Sequence, residues 1–462
     1  MRRTLLAAAL LAVAAVVGAL AYATYAAERE YERLLARGDA ALAADQPFQA
    51  LEAYSGAVTL RPDSMLAHLR RGAIYQERGE LEAALVDLRT AAELDPSAPQ
   101  PRERLGDVNA ALGRHERAAR EYESYVALDD RSPGVLYKLA LARYRAGQTS
   151  GAVQALERAV ALDQEFAEAH YLLGLCLRDD GELEQARDAL EAATRLSPSL
   201  TAPREALADV YLRLGASAPA IDQLEALAAL DPGRPERLVA VGQAYAASGR
   251  PDAAVLTLGR AAERFPDSPV VFAALGRVWL GTARARNDRV ALNKAIEALT
   301  AAATRSDASG AALTDLARAW LQAGDANAAE RALRQAVQRL PVPADAYLEL
   351  ANIAAAAGRI QDARDALLRY AALVGDTQPL AGVSTRIADF SLRLGDPAAA
   401  VRWLDRAIDE AGPTSALLVR LGDAALQAGD LTRARAAVSE GLAAEPGNRG
   451  LRALEARLPR GE

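Results

Sequence analysis

Small and apolar side chains return along this chain at a fixed interval of 34 residues. Gly38, Ala50, Ala57 and Pro62 are matched by Gly72, Ala84, Ala91 and Pro96, then by Gly174, Ala186, Ala193 and Pro198, then by Gly242, Ala254, Ala261 and Pro266, with unchanged internal offsets. A repeat of this length predicts stacked helix hairpins, because one hairpin cannot bury its apolar face without a neighbour. Positions 8 and 20 of the unit hold Gly or Ala throughout, which lets the two helices approach closely. A larger side chain there is expected to cost about 1 to 3 kcal/mol by overpacking. Larger apolar residues at positions 7 and 24, such as Leu173 with Leu190 or Leu316 with Leu333, fill the space between the small contacts. Glycine at position 15, from Gly79 to Gly429, can take the left-handed conformation that ends the first helix. Proline at position 32 prevents the second helix from continuing.

Aligned this way, twelve repeats fill residues 31–448, opening at Tyr31, Met65, Pro99, Pro133, Ala167, Thr201, Pro235, Pro269, Gly310, Ala344, Ala381 and Ser415. Two extra stretches interrupt the period, about seven residues near Gly281 to Leu292 and three at Gln378 to Leu380. The first carries Arg284, Arg286 and Arg289 and reads as a lengthened hairpin, with a lateral contact as the alternative. Asp130, Gln164, Asp307, Gly375 and Gly412 replace the turn proline, and Tyr125, Tyr370 and Gly441 replace the alanine of position 27. Residues 449–462 follow, where Leu451, Leu454 and Leu458 share one helical face, as in a capping helix.

Residues 1–27 stand apart. Arg2 and Arg3 precede an uncharged stretch from Thr4 to Ala27, just over the roughly 20 residues a membrane-spanning helix needs. Its eight Leu and Val residues favour insertion by roughly 2.5 to 5 kcal/mol in sum. Tyr22 and Tyr25 suit interfacial anchors, so the segment is read as a signal anchor. The alternative is a cleaved signal peptide, with candidate sites at Ala19-Leu20-Ala21 and Ala21-Tyr22-Ala23. Short basic tails ahead of an apolar run usually stay inside, which places the array on the extracytoplasmic, periplasmic side. A secreted array after cleavage and a cytoplasm-facing array are the alternatives.

Composition narrows the chemistry. Hydrophobic residues make up 51% of the chain and aromatics 5%, which suits closely packed helices built from Ala, Leu and Val. The net charge of −7 argues against nucleic acid. Cys176 is the sole cysteine, so intrachain disulfides and cysteine-based zinc modules are impossible. It sits in an apolar run, where a packed thiol is expected. Of three histidines, His68 and His170 share position 4, a packing position, and His115-Glu116 lacks the second histidine of a zincin helix, since Ala119 stands there. No glycine-rich loop ends in Gly-Lys-Ser/Thr. Acidic pairs such as Asp129-Asp130 and Asp179-Asp180 fall at turns, where solvated caps are ordinary. The chain is therefore expected to be no enzyme and to need no cofactor or metal.

The small residues at positions 8, 20 and 27 and the proline at 32 resemble the tetratricopeptide repeat (TPR) signature over nearly the whole chain. The resemblance implies an all-α fold, a right-handed superhelix of helix hairpins, preceded here by the N-terminal hydrophobic helix. It also implies a concave surface lined by the first helix of each hairpin at positions 2, 5, 9, 12 and 13. Carried over, these are Tyr137, Leu141, Tyr144, Tyr171 and Leu175, with Asp107 and Asp209 nearby and Arg277 and Arg318 further along. A protein or peptide partner with apolar anchors and basic flanks would fit such a surface. The family's lysine and asparagine carboxylate clamp is absent, since position 9 reads Asp39, Ala73 and Asp107 in the first three repeats. The implied function is a non-catalytic interaction scaffold, tethered to the membrane and organising an envelope-biogenesis or export assembly. The alternative is a regulatory subunit that delivers substrate to a separate enzyme.

Overall fold

The computed structural model describes residues 2–305, 308–375 and 379–459, with the side chains of residues 2–10, 12 and 13 excepted. The described residues form 25 helices and no strand. They divide into two compact units, Met1–Leu230 and Asp231–Glu462. The first holds six hairpins, from Arg2–Ala43 paired with Pro47–Leu60 to Thr201–Arg213 paired with Ser217–Leu230. The second holds six more, from Pro235–Ala247 paired with Pro251–Arg264 to Ser415–Ala428 paired with Leu431–Ala444, followed by the helix Arg449–Arg457. From Met65 to Ser415, the first helix of every hairpin starts at the residue that opens its repeat.

Backbone sterics explain the reversal inside each hairpin. The ten glycines at position 15 have φ between 71° and 87°, a region that a Cβ disfavours. The first and eighth repeats lack this glycine, and Asp45 (φ 56°) and Asn287 (φ 49°) take its conformation instead. Asp and Asn are the non-glycine residues that best tolerate it, because their short side chains bond locally. Asn287 also explains the first interruption of the period. The helix Pro269–Arg286 runs five residues past its counterparts, turns at Asn287, and leads into Arg289–Ala303, so the hairpin is lengthened. Asp45→Gly is expected to raise the thermal midpoint of the first unit by relieving up to about 1 kcal/mol of strain. An unchanged or lower midpoint in calorimetry would remove this account of the turn.

Between the helices, small residues make room for large ones. Position 20 is alanine in all twelve repeats and is 0% exposed in each, from Ala50 to Ala434. At position 8, a methyl on Gly174 would stand 2.5 Å from Leu190 Cγ, and one on Gly106 would stand 2.4 Å from Tyr122 Cε1. The glycine is therefore the floor on which the position-24 side chain lies. Gly441, irregular at position 27, follows the same logic: a methyl there would stand 2.5 Å from Leu451 Cδ1 of the last helix. Leu451 and Leu454 are buried on that helix's apolar side.

Turns between repeats share a second device. The side chain at position 4 donates to the carbonyl six residues upstream: His68 Nε2 to Pro62 (3.0 Å), His170 Nε2 to Gln164 (3.1 Å) and Arg204 Nε to Pro198 (3.2 Å). Arg452 Nε repeats it on Pro446 at 2.8 Å in the last helix. The carbonyl needs no proline ring, which is why Gln164 can replace proline without loss of the tie. Gly375 (φ 57°) and Gly412 (φ 81°) instead reverse the chain by themselves. Asp307 and Gln378 lie outside the described residues.

The uncharged Thr4–Ala27 stretch belongs to the helix Arg2–Ala43. Among the described residues, no helix is long and apolar enough to cross a membrane. The side chains of Leu5, Leu6, Leu10 and Val13, on which the expected span leans, lie outside those described; Leu11, Val16, Val17 and Leu20 are exposed.

Candidate interaction surface

In the first unit, seven of the residues assigned to a partner surface fall on four successive first helices. Asp107 lies on Pro99–Ala111, Tyr137, Leu141 and Tyr144 on Pro133–Arg145, Tyr171 and Leu175 on Ala167–Asp179, and Asp209 on Thr201–Arg213. The tyrosines and leucines are half-buried, while Asp209 is exposed. Tyr137 packs its ring against Phe166, with centroids 5.3 Å apart at 48°. Burial raises its pKa, and the carboxylate of Glu168 adds to the rise. Phe166 escaped the sequence reading because it precedes the opening residue of its repeat, where no periodic rule applied. Its aromatic character beside the turn was the available signal.

Tyr144 is held. Its hydroxyl donates to Asp179 Oδ2 on the next repeat at 2.7 Å, and that hydrogen bond, then burial, pushes its pKa up to about 12. Burial works to raise Asp179, but the bonds from Tyr144 and Arg178 hold its carboxyl below the usual range. The hydroxyls of Tyr137 and Tyr171 have no hydrogen-bond partner among the described residues. Beside Tyr171 lies a cleft of about 160 Å³ lined by Glu168, Leu200, Thr201 and Pro203.

Asp107 is consumed in a network. It accepts from the Tyr122 hydroxyl at 2.7 Å and from Lys138 Nζ at 3.0 Å, and Lys138 also reaches Glu103 at 2.8 Å. These bonds raise the Lys138 pKa against the opposing effect of its burial. One lysine thus offsets part of the negative charge that Glu103 and Asp107 place beside the tyrosines.

Arg277 and Arg318 belong to the second unit. Both approach Asp315, at 3.5 and 3.4 Å, and Arg318 reaches Asp345 at 2.9 Å and Glu349 at 3.5 Å. Burial raises the Asp315 pKa, and the two guanidinium groups oppose that rise. These arginines tie neighbouring repeats together.

Cys176, between the tyrosine-bearing faces, is fully buried, and burial followed by Asp179 and Asp180 pushes its thiol up to about 12. Native protein is expected to leave Ellman's reagent unreacted at mildly alkaline pH, and denatured protein to react at one thiol per chain. A raised thiol pKa means the folded state holds its proton more tightly. That contribution to stability is complete below about pH 9, and it is lost as the pH climbs through about 12. His68 is buried beside Asp87, and no group of three or more metal-ligating side chains occurs among the described residues.

Models of the tetratricopeptide repeat match residues 137–200, 218–278, 314–376 and 386–449, and a TPR repeat model matches 72–113. Together these cover more than half of the chain. No curated protein matches the sequence. Among solved structures, YrrB, described as a TPR protein with an unusual peptide-binding site, is 23% identical over 41% of this chain and 97% of its own, with a TM-score of 0.38. A tetratricopeptide repeat protein from Parabacteroides merdae is 17% identical over 54% of this chain and 99% of its own, with a TM-score of 0.39. Naa15/Naa10 bound to HypK-THB matches 92% of this chain and 78% of its own at 15% identity and a TM-score of 0.40. Repeat spacing, helix boundaries and family models agree, and the chain belongs to the tetratricopeptide repeat family.

Proposed function

We propose that this protein is a non-catalytic scaffold that captures a partner protein on the first-helix face of the Pro133–Arg145 and Ala167–Asp179 hairpins. The observation that carries the reading is the pairing of two unpartnered tyrosine hydroxyls, Tyr137 and Tyr171, with the half-buried Leu141 and Leu175. Such a surface offers apolar area and a polar tip together, which is the chemistry of an anchor pocket for a peptide side chain. Lys138 neutralises part of the acidic rim, so the apolar anchor contributes more to recognition than basic flanks do. The uncharged Thr4–Ala27 stretch tethers the array to a membrane, with the repeats on the extracytoplasmic side, where they organise an envelope-biogenesis or export assembly.

A photoreactive residue at Tyr171, activated in intact cells and followed by fractionation, tests partner and compartment together. The expected result is a discrete crosslinked protein in the membrane fraction, lost when Leu175→Asp is added. Absence of any crosslink would remove the groove from the proposal, and recovery only in the soluble fraction would remove the tether. A single stoichiometric enzyme as the crosslinked species would replace the scaffold with a substrate-delivery subunit.

A further inference from the structure

Four arginines and a histidine converge on one cavity of the first unit, which meets the tyrosine-bearing helix Pro133–Arg145 at Arg145. Its volume is about 670 Å³, and its wall includes Arg114, His115, Glu116, Arg117 and Arg120 at the start of the His115–Leu128 helix and Arg145 at the end of Pro133–Arg145. Elsewhere in the molecule arginines commonly pair: Arg71 with Asp87, Arg143 with Glu123, Arg318 with three carboxylates, and Arg359 with Glu330. Here Arg114 reaches Glu82 at 2.7 Å. Among the described residues, no ion pair or side-chain hydrogen bond engages Arg117, Arg120 or Arg145, and His115 Nδ1 is shut from solvent without a partner. In a chain of net charge −7, such a wall is a local reversal of sign.

We infer that this cavity docks an acidic segment of a partner protein, an extended stretch carrying carboxylates on alternate residues. Arg114 caps the helix and Arg117 and Arg120 follow it at three-residue intervals, so successive ones are neighbours, with a rise of about 4.5 Å per step. Alternate side chains of an extended peptide are spaced by about 6.6 Å, a mismatch that long arginine stems absorb. The exposed guanidinium groups of Arg117, Arg120 and Arg145 can each take one carboxylate through two parallel N–H···O bonds, while Arg114 is engaged by Glu82. Arg145, from the following repeat, closes the row across the cavity. A single phosphate would engage only part of a wall drawn from two repeats, and a membrane presents a flat surface where this one is recessed. Arg145 borders the tyrosine face, where its charge acts on Tyr137, but Arg117 and Arg120 stand on the second helix of the preceding hairpin, so their substitution tests this cavity without altering the tyrosine face.

The test is fluorescence anisotropy of a labelled Ser-Glu-Ser-Glu-Ser-Glu-Ser peptide titrated with the full chain at low and high salt. Binding that weakens with salt is expected, with a loss of about tenfold or more in the Arg117→Glu, Arg120→Glu double variant at unchanged helicity. Arg145→Ala is expected to weaken it several-fold, which would show that two repeats take part. Should the charge reversal lower helicity, Arg117→Gln with Arg120→Gln makes the same comparison by charge removal alone. Inorganic pyrophosphate and phosphatidylglycerol vesicles form the parallel arms. The inference is overturned if the peptide fails to bind, if it binds the double variant equally well, or if arginine-dependent binding is found only for pyrophosphate or only for the vesicles.

Discussion

Asp87→Ala is expected to lower the stability of the first unit by about 2 to 4 kcal/mol, the largest single effect among the substitutions considered. Asp87 is 2% exposed. It accepts two hydrogen bonds from Arg71, at 2.6 and 2.7 Å, and lies 2.9 Å from His68 Nδ1. Its hydrogen bonds raise the Arg71 pKa, while burial works against the cation. Removing the carboxylate leaves a guanidinium group and an imidazole facing each other across a site from which water is largely shut out. Removal of one partner of a buried pair usually costs about 3 to 5 kcal/mol; the figure is reduced because Arg71 keeps 21% of its side chain in water. Urea unfolding followed by circular dichroism measures the change. Asp87→Asn retains the shape and part of the bonding and should fall between the two. A midpoint equal to that of the unaltered protein would mean that the cluster contributes nothing.

Gly174→Val is expected to cost about 1 to 3 kcal/mol through overpacking against Leu190. The first added carbon would stand 2.5 Å from Leu190 Cγ and 3.2 Å from the Ala186 carbonyl oxygen. Cγ is the branch point of the side chain, and the carbonyl belongs to the helix backbone, so neither can swing aside cheaply. The loss of a flexible glycine from a helix recovers only part of the cost. A double-mutant cycle separates packing from backbone effects. In a Leu190→Ala background only the 3.2 Å approach to the Ala186 carbonyl remains, and Gly174→Val should then cost clearly less. Equal costs in both backgrounds would show that the position-8 glycine serves something other than the position-24 side chain.

Much of this was legible without coordinates, for reasons that differ from residue to residue. The alanines of position 20, the position-15 glycines and the start of each hairpin follow from local rules: which side chain fits between two helices, which residue tolerates positive φ, and where proline stops a helix. The partner surface was legible only as a set of positions. The spacing puts Tyr144 and Tyr171 on the same kind of face, yet Tyr144 is bound to Asp179 and Tyr171 is free. Asp107 was expected to face a partner beside the tyrosines, and Lys138 and Tyr122 take it up instead. The arginine cavity was invisible, since Arg117 and Arg145 come from different repeats and their lack of partners is a property of space.

Read by itself, the chain determines a series of helix hairpins of the tetratricopeptide kind, because small, left-handed and helix-stopping residues act within a few positions of where they stand. It does not determine the division into the units Met1–Leu230 and Asp231–Glu462. Nor does it determine which polar groups are spent on one another and which are left for a partner. Those outcomes depend on side chains meeting across neighbouring repeats, and periodicity specifies where a residue sits in its own hairpin without specifying what the next hairpin places against it.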